Sequence, residues 1–250
     1  MADPQAGGAP LWRLILVPSL VTLAVTLLRL WGELKQWPTL LFNPTPGGGA
    51  ALVGITWLVP VFGAWFALKL ARNEAGVRAG RVLAISVLAL GIVFALHFWV
   101  DSIKKEQSSL GVLGVFAVSS FLGGLVGLSA WPALGRALLA YGLAARVPVA
   151  LIMLAAIRGD WRTHYDQPPP DFAYIGNLIV RWLWIGLLPQ MTIWLAYTVI
   201  VGSIAGGVAL LFAGQRAAPR RPLVRPVVPV RRPPAAAPPR PVLRPPPGRT

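Results

Sequence analysis

The sequence contains no cysteine, only two histidines and only eight carboxylates among its 250 residues. Without cysteine there are no disulfides, thiolate metal sites, haem-attachment motifs or thiol nucleophiles, and the redox compartment leaves no mark. Charge is also scarce, since charged residues make up 12% of the chain against 56% hydrophobic. A soluble domain of this size keeps much of its surface in water and needs more charge than that, so the composition selects a membrane protein. Motifs with known chemistry are missing too. There is no His-Glu-x-x-His pair for a zinc protease, no Walker loop for ATP and no Gly-x-Ser-x-Gly elbow. Ser129 does not rescue a serine-hydrolase reading, because the topology derived below puts it at the opposite membrane face from both histidines.

What the chain does have is apolar runs, at residues 11–30, 51–70, 82–99, 110–130, 132–157 and 178–213. About 20 helical residues cover the ~30 Å hydrocarbon layer, so each of the first four runs is about one span. The fourth and fifth runs adjoin, and as one helix they would be longer than any membrane is thick. A hairpin at 128–132 divides them, with Ser129 placed to cap the next helix and Pro132 tolerated in its first turn. The sixth run is too long for one perpendicular span, and Pro189 removes an i to i−4 hydrogen bond. Residues 178–188 are therefore expected to form a tilted or interfacial helix, with Arg181, Trp182 and Trp184 at headgroup depth, kinked at Pro189 into the last span. The first run is too long for a secretion signal and is followed by no small-residue cleavage site, so it is expected to remain as a helix. The expected fold class is all-α: a polytopic integral membrane bundle of about six transmembrane helices over 1–214, followed by a disordered tail over 215–250.

That tail holds nine arginines, twelve prolines and no acidic residue, more than half of the formal charge of +15. Its prolines favour an extended polyproline II chain, and its charge attracts anionic lipid headgroups, with nucleic acid the disfavoured partner. Six spans put both termini on one side. Fifteen Lys and Arg fall on that side and seven on the other, so the positive-inside rule assigns both termini to the cytoplasm, in a bacterial inner membrane. Without the tail the count is six against seven, so the tail decides the orientation. Gly123 with Gly127, and Gly202 with Gly206, are small residues four apart that allow helix backbones to approach closely, either within one chain or between copies or other membrane proteins.

Three features carry functional expectations. Arg146 lies ten residues beyond Arg136, about 15 Å deeper and near the midplane, where an ionised side chain marks a pathway or needs a partner. Pro148 and Gln190 are available to make that depth polar. On the outer side, His97 and Asp101 are four apart on one helix face, and the loop from Arg158 to Asp171 carries Asp160, His164 and Asp166. The first expectation there is hydrogen-bond bracing of a proline-stiffened loop, with His164 and Asp166 ordering it against the helix ends; the alternative is that those five residues are ligands for a divalent metal or members of a proton relay. No residue is assigned as catalytic or as binding an organic cofactor. The first functional expectation is a non-enzymatic structural or accessory component of a membrane assembly. The second is a small permease or channel with Arg146 in an intramembrane cavity, and the third is a membrane enzyme with an outer His/Asp metal site.

Overall fold

A computed structural model of the chain describes residues 10–48, 51–103, 109–168 and 176–214. The expected tail lies outside the described residues, as do Asp171 and the side chain of Asp101. Every regular element among the described residues is helical: α1 (Leu11–Leu34), α2 (Leu58–Ala71), α3 (Ala79–Ile103), α4 (Ser109–Ala130), α5 (Pro132–Gly159), α6 (Leu178–Arg181), α7 (Leu188–Met191) and α8 (Ile193–Phe212). Five passages are long and apolar enough to cross a membrane: α1, α3, α4, α5 and the composite run Leu178–Phe212. The chain is thus an all-α bundle of membrane-spanning character, as its composition requires.

The second apolar run is the shorter one. Its helix begins only at Leu58 and has 14 residues. Gly54 and Thr56 are poor helix formers, whereas Pro60 sits in the first turn of α2, where its missing N–H costs nothing. Residues 51–57 instead run as turns whose backbone leans on the preceding loop, with Leu52 N–H donating to Leu40 O and Val53 N–H to Leu41 O, each at 3.1 Å.

The α4–α5 hairpin falls inside the expected 128–132 segment, but Ser129 does not cap α5. Its hydroxyl donates within its own helix to Val126 O at 2.7 Å, and the N-cap position is Trp131, with no side-chain cap. The break is made by extended backbone at Trp131 (φ −154°, ψ 101°) followed by Pro132. Trp131 is in turn fixed by its Nε1–H, which donates to Glu74 Oε2 at 2.8 Å. In the last run, Asn177 caps α6 by accepting from Ile179 and Val180 N–H, both at 3.0 Å. A widened π turn over Trp182–Leu187 leads directly to Pro189, and the path bends again at Thr192 (φ −116°, ψ −71°) before α8. Proline supplies no N–H to the preceding turn, which accounts for the kink where the sequence indicates one.

The centre of the bundle is α8, which packs against α2, α3, α4 and α5. Glycines make this possible. A Cβ on Gly63 of α2 would meet the Gly202 backbone oxygen at 2.4 Å, and one on Gly206 would meet the Ala67 side chain at 2.8 Å. Gly123 of α4 is equally closed, by Val93 and the Ala89 carbonyl of α3. The small residues four apart are therefore spent on contacts inside one chain. Phe66, Leu134, Leu138 and Tyr141, all fully buried, fill the space among α2, α5 and α8.

Candidate functional site

The site begins at the end of the bundle where α1 and α5 terminate. Asp160 ends α5 in the left-handed region (φ 46°), and Arg162 repeats that conformation (φ 58°), so the chain turns sharply back. Asp166 closes the turn by accepting from the N–H of Arg162 (2.8 Å), the N–H of Thr163 (2.7 Å) and the Thr163 hydroxyl (2.7 Å). Arg181 clasps the same turn from α6, donating to Asp166 O at 2.8 Å. Three consecutive side chains then turn toward the bundle: Thr163 and Tyr165, both buried, and His164, partly buried.

His164 is the anchor. Its backbone N–H and its ring Nδ1 both meet Glu33 near the end of α1, at 3.0 and 2.8 Å. Glu33, whose side chain is fully buried, also accepts from Arg29 Nε at 2.8 Å one turn earlier. Tyr165 reaches further down α1, its hydroxyl donating to Thr26 O at 3.3 Å. Burial first, and then the Arg29 charge, push the His164 imidazole below its ordinary value, against the opposing pull of Glu33. We therefore assign a neutral ring whose Nδ1–H donates to an ionised Glu33 already paired with Arg29. Burial likewise pushes the Tyr165 hydroxyl up, so it remains a neutral donor.

Beneath this loop lies a cavity of about 780 Å³. Its upper wall is formed by Arg29, His164, Tyr165 and Gln167, its sides by the 54–57 turn, α2 and α4, and its depth by Arg146, Gln190, Trp194 and Tyr197. The non-helical 51–57 segment and the π turn before Pro189 leave this volume open, because neither presents a regular helix face to its neighbours. Arg146 is 4% exposed and lies near the middle of the 28-residue α5. Its guanidinium stacks on the Trp194 ring at 4.6 Å, a cation–π contact between α5 and α8. Among the described residues it makes no hydrogen bond and no ion pair, and Nε is fully buried without a partner. The titratable groups that bear on it are tyrosines, Tyr141, Tyr197 and Tyr165, and not carboxylates. Gln190, 7% exposed, points its Nε2 at Met153 Sδ (3.8 Å) and leaves Oε1 buried without a partner.

The chain matches no protein-family model, no curated protein and no solved structure. The site must therefore be read from its own geometry.

Arg146 and Gln190, expected to share an intramembrane polar spot, line one cavity. The five metal candidates fare differently. His97 sits edge-on to Phe98 and Phe116, at 5.9 and 5.3 Å between ring centres, with Nδ1 buried and unpartnered. Asp160 is exposed beside Arg162 (3.9 Å), Asp166 is spent on loop backbone, and His164 is taken by Glu33. Among the described residues no group of three His, Cys, Asp or Glu side chains is arranged to hold a metal ion. The physical reason for His164 and Asp166 is competition, since each already satisfies a partner nearer to it in the chain or on α1, while Asp160 is turned out to the surface. Sequence reasoning missed Glu33 and Arg29 as partners of the loop. Their signal was present, a base inside the end of an apolar run and an acid four residues on, one helical turn later on the same face.

Proposed function

We propose that the protein binds an anionic solute in the cavity floored by Arg146, acting as a permease or solute-binding component of the membrane. The observation that carries this reading is the Arg146 guanidinium, held at mid-helix on Trp194 in the lining of the cavity, with no carboxylate paired to it among the described residues. An unpaired charge at such depth costs several kcal/mol, and intramembrane charges that face cavities mark ligand or ion pathways. The reading of a structural or accessory subunit rests on the exposed apolar faces of the helices, which a bilayer covers equally well, and it leaves Arg146 unexplained. If the arginine-rich tail keeps both termini cytoplasmic, the cavity opens toward the opposite compartment, beneath the 160–168 loop.

The test is titration of simple monoanions, acetate and octanoate, into the full chain in mild detergent, read by thermal shift. Wild type is expected to saturate. Arg146→Leu is expected to lose saturable binding while remaining folded and at least as stable, because removing a buried ion together with its desolvation cost is often neutral or stabilising. Arg146→Lys keeps the charge and loses the planar fork, and should retain only weakened binding. Anion binding that survives Arg146→Leu unchanged, or no saturation in wild type, overturns the reading.

A further inference from the structure

We infer that the end of the bundle opposite the His164 loop holds the headgroup of a singly charged anionic phospholipid, of the phosphatidylglycerol type. The site is a pocket between the α2–α3 turn and the α4–α5 hairpin. It is separate from the Arg146 cavity and does not rest on the reading given for it.

The pocket, of about 450 Å³, is walled by residues 74–78 and 81–82 on one side and by residues 130–132 on the other. Its walls are tied together. The Trp131 indole, 4% exposed, donates to Glu74 Oε2 at 2.8 Å and so fixes the hairpin to the turn. Gly76 reverses the chain at φ 85°, in the left-handed region that favours glycine, and Arg78 and Arg81 follow in the lining. Both arginines are exposed, and among the described residues neither is engaged in an ion pair. Glu74, the one carboxylate of the lining among the described residues, is bonded to Trp131 and to neither of them.

Depth and charge select the ligand. Both α3 and α5 begin here, at Ala79 and Pro132, and both are long and apolar enough to cross a membrane. Their first turns therefore stand at the level of lipid headgroups, with the positive ends of the two helix dipoles at the same place. Basic pockets between membrane helices bind phospholipid headgroups. Two guanidinium groups against one carboxylate leave the lining with one net positive charge, which a single phosphodiester neutralises. Phosphatidic acid, whose phosphomonoester approaches two charges, places the excess beside Glu74, and phosphatidylethanolamine brings an ammonium into a site already positive.

The surface leading away from the pocket suits an acyl chain. Gly80, Ala84, Val87, Leu88 and Gly91 of α3 are all exposed and recur at the spacing of one helix face, so they form an apolar lane that starts beside Arg81. A Cβ on Gly80 or Gly91 would meet nothing within 4 Å, so no part of the protein fills the space over either end of the lane. From 80 to 91 the helix rises about 16 Å, close to half of the ~30 Å hydrocarbon layer and hence to the depth of one leaflet. A soluble phosphate would use the pocket alone. A phospholipid uses the pocket and the lane together, and that continuity is the reason to assign a lipid.

The experiment is native mass spectrometry of the full chain, delipidated in mild detergent and supplied with phosphatidylglycerol, phosphatidylethanolamine, phosphatidic acid or the deacylated headgroup glycerophosphoglycerol. Wild type is expected to hold phosphatidylglycerol about 10-fold more tightly than each of the other three, the scale of one charge-assisted hydrogen bond. Arg78→Gln combined with Arg81→Gln should weaken that binding by a similar factor. Arg72→Gln combined with Arg136→Gln removes the same charge from exposed arginines outside the lining and should leave it unchanged. Both pairs keep the arginine-rich tail, so adhesion through the tail cancels between them. Equal losses in the two pairs would show a general surface-charge effect and overturn the site. Glycerophosphoglycerol bound as tightly as the intact lipid would overturn the lipid as occupant, and phosphatidylethanolamine or phosphatidic acid bound as tightly would overturn the assignment of a single phosphodiester charge. The ranking of probes on wild type needs no variant to fold.

Discussion

At the scale of single residues, His164 ties the loop to α1 through a contact whose sign with pH is fixed. Its folded-state value lies below the ordinary histidine value of 6.5, so on acidification the unfolded chain takes up the proton first. The stability this arrangement contributes is present above about pH 6.5 and is lost as pH falls toward the depressed folded value. Arg29, Glu33 and Asp166 are the charged groups facing the ring. Thermal unfolding in detergent should therefore shift to lower temperature between pH 7.5 and 5.5, and His164→Gln should flatten that slope. An unchanged slope in the variant would show that other groups carry it. Asp166 is the second residue to test. Asp166→Ala leaves the Thr163 N–H and hydroxyl and the Arg162 N–H without their acceptor, at about 1–3 kcal/mol for each that stays buried. Its melting temperature should fall, and limited proteolysis should cut within 160–168. Arg146 was legible in the sequence because a lone charge in an apolar run is conspicuous in any window. For Glu33 the need for a partner was legible but the partner was not, because the hairpins that bring it to His164, 131 positions away, leave no mark on local pattern.

Among the elements, the tightest constraint lies between α2 and α8. A Cβ on Gly63 would fall 2.4 to 2.8 Å from backbone atoms of Gly202, which have no rotamer to give. Gly63→Ala should therefore destabilise the bundle by about 1–3 kcal/mol or force α2 to shift, read as a lower melting temperature in detergent. Gly91→Ala on α3 meets nothing within 4 Å and should be neutral or stabilising by up to about 1 kcal/mol, a control that separates overpacking from helix propensity. The sequence shows which glycines recur at helical spacing, but not which of them touch another backbone: Gly202 and Gly206 form such a pair, while Gly63 pairs with an alanine at 67 and carries no glycine signal of its own. Helix ends show the same division. The breaks at Trp131-Pro132 and before Pro189 were legible because proline acts locally, while the late start of α2 at Leu58 depends on how residues 51–57 lean on the loop before them.

For the whole molecule, the alternation of helix directions brings the end of α1, the start of α2 and the end of α5 to one end, and Glu74 and Trp131 to the other. Which compartment each end faces is a matter of charge. Reporter fusions at Gln167 and after Thr250 should report opposite sides of the membrane, with the second cytoplasmic; agreement between them would overturn the topology. The shortness of α2 also bears on the lipid around the protein. Its 14 residues rise about 21 Å, against a hydrocarbon thickness of about 30 Å. Trp57 at one end and Lys69 and Arg72 at the other are residue types that settle at headgroup level, and Val61 and Trp65 are exposed between them. If α2 crosses the membrane on its own, the bilayer beside it pinches, at a cost of fractions of a kcal/mol per Å of mismatch. Around the longer α3, α4 and α5 it need not, so the annulus of lipid is thinned on one flank only. The protein should consequently be more stable in short-chain than in long-chain bilayers, and in a mixed membrane it should gather the thinner lipid along the flank where its cavity lies.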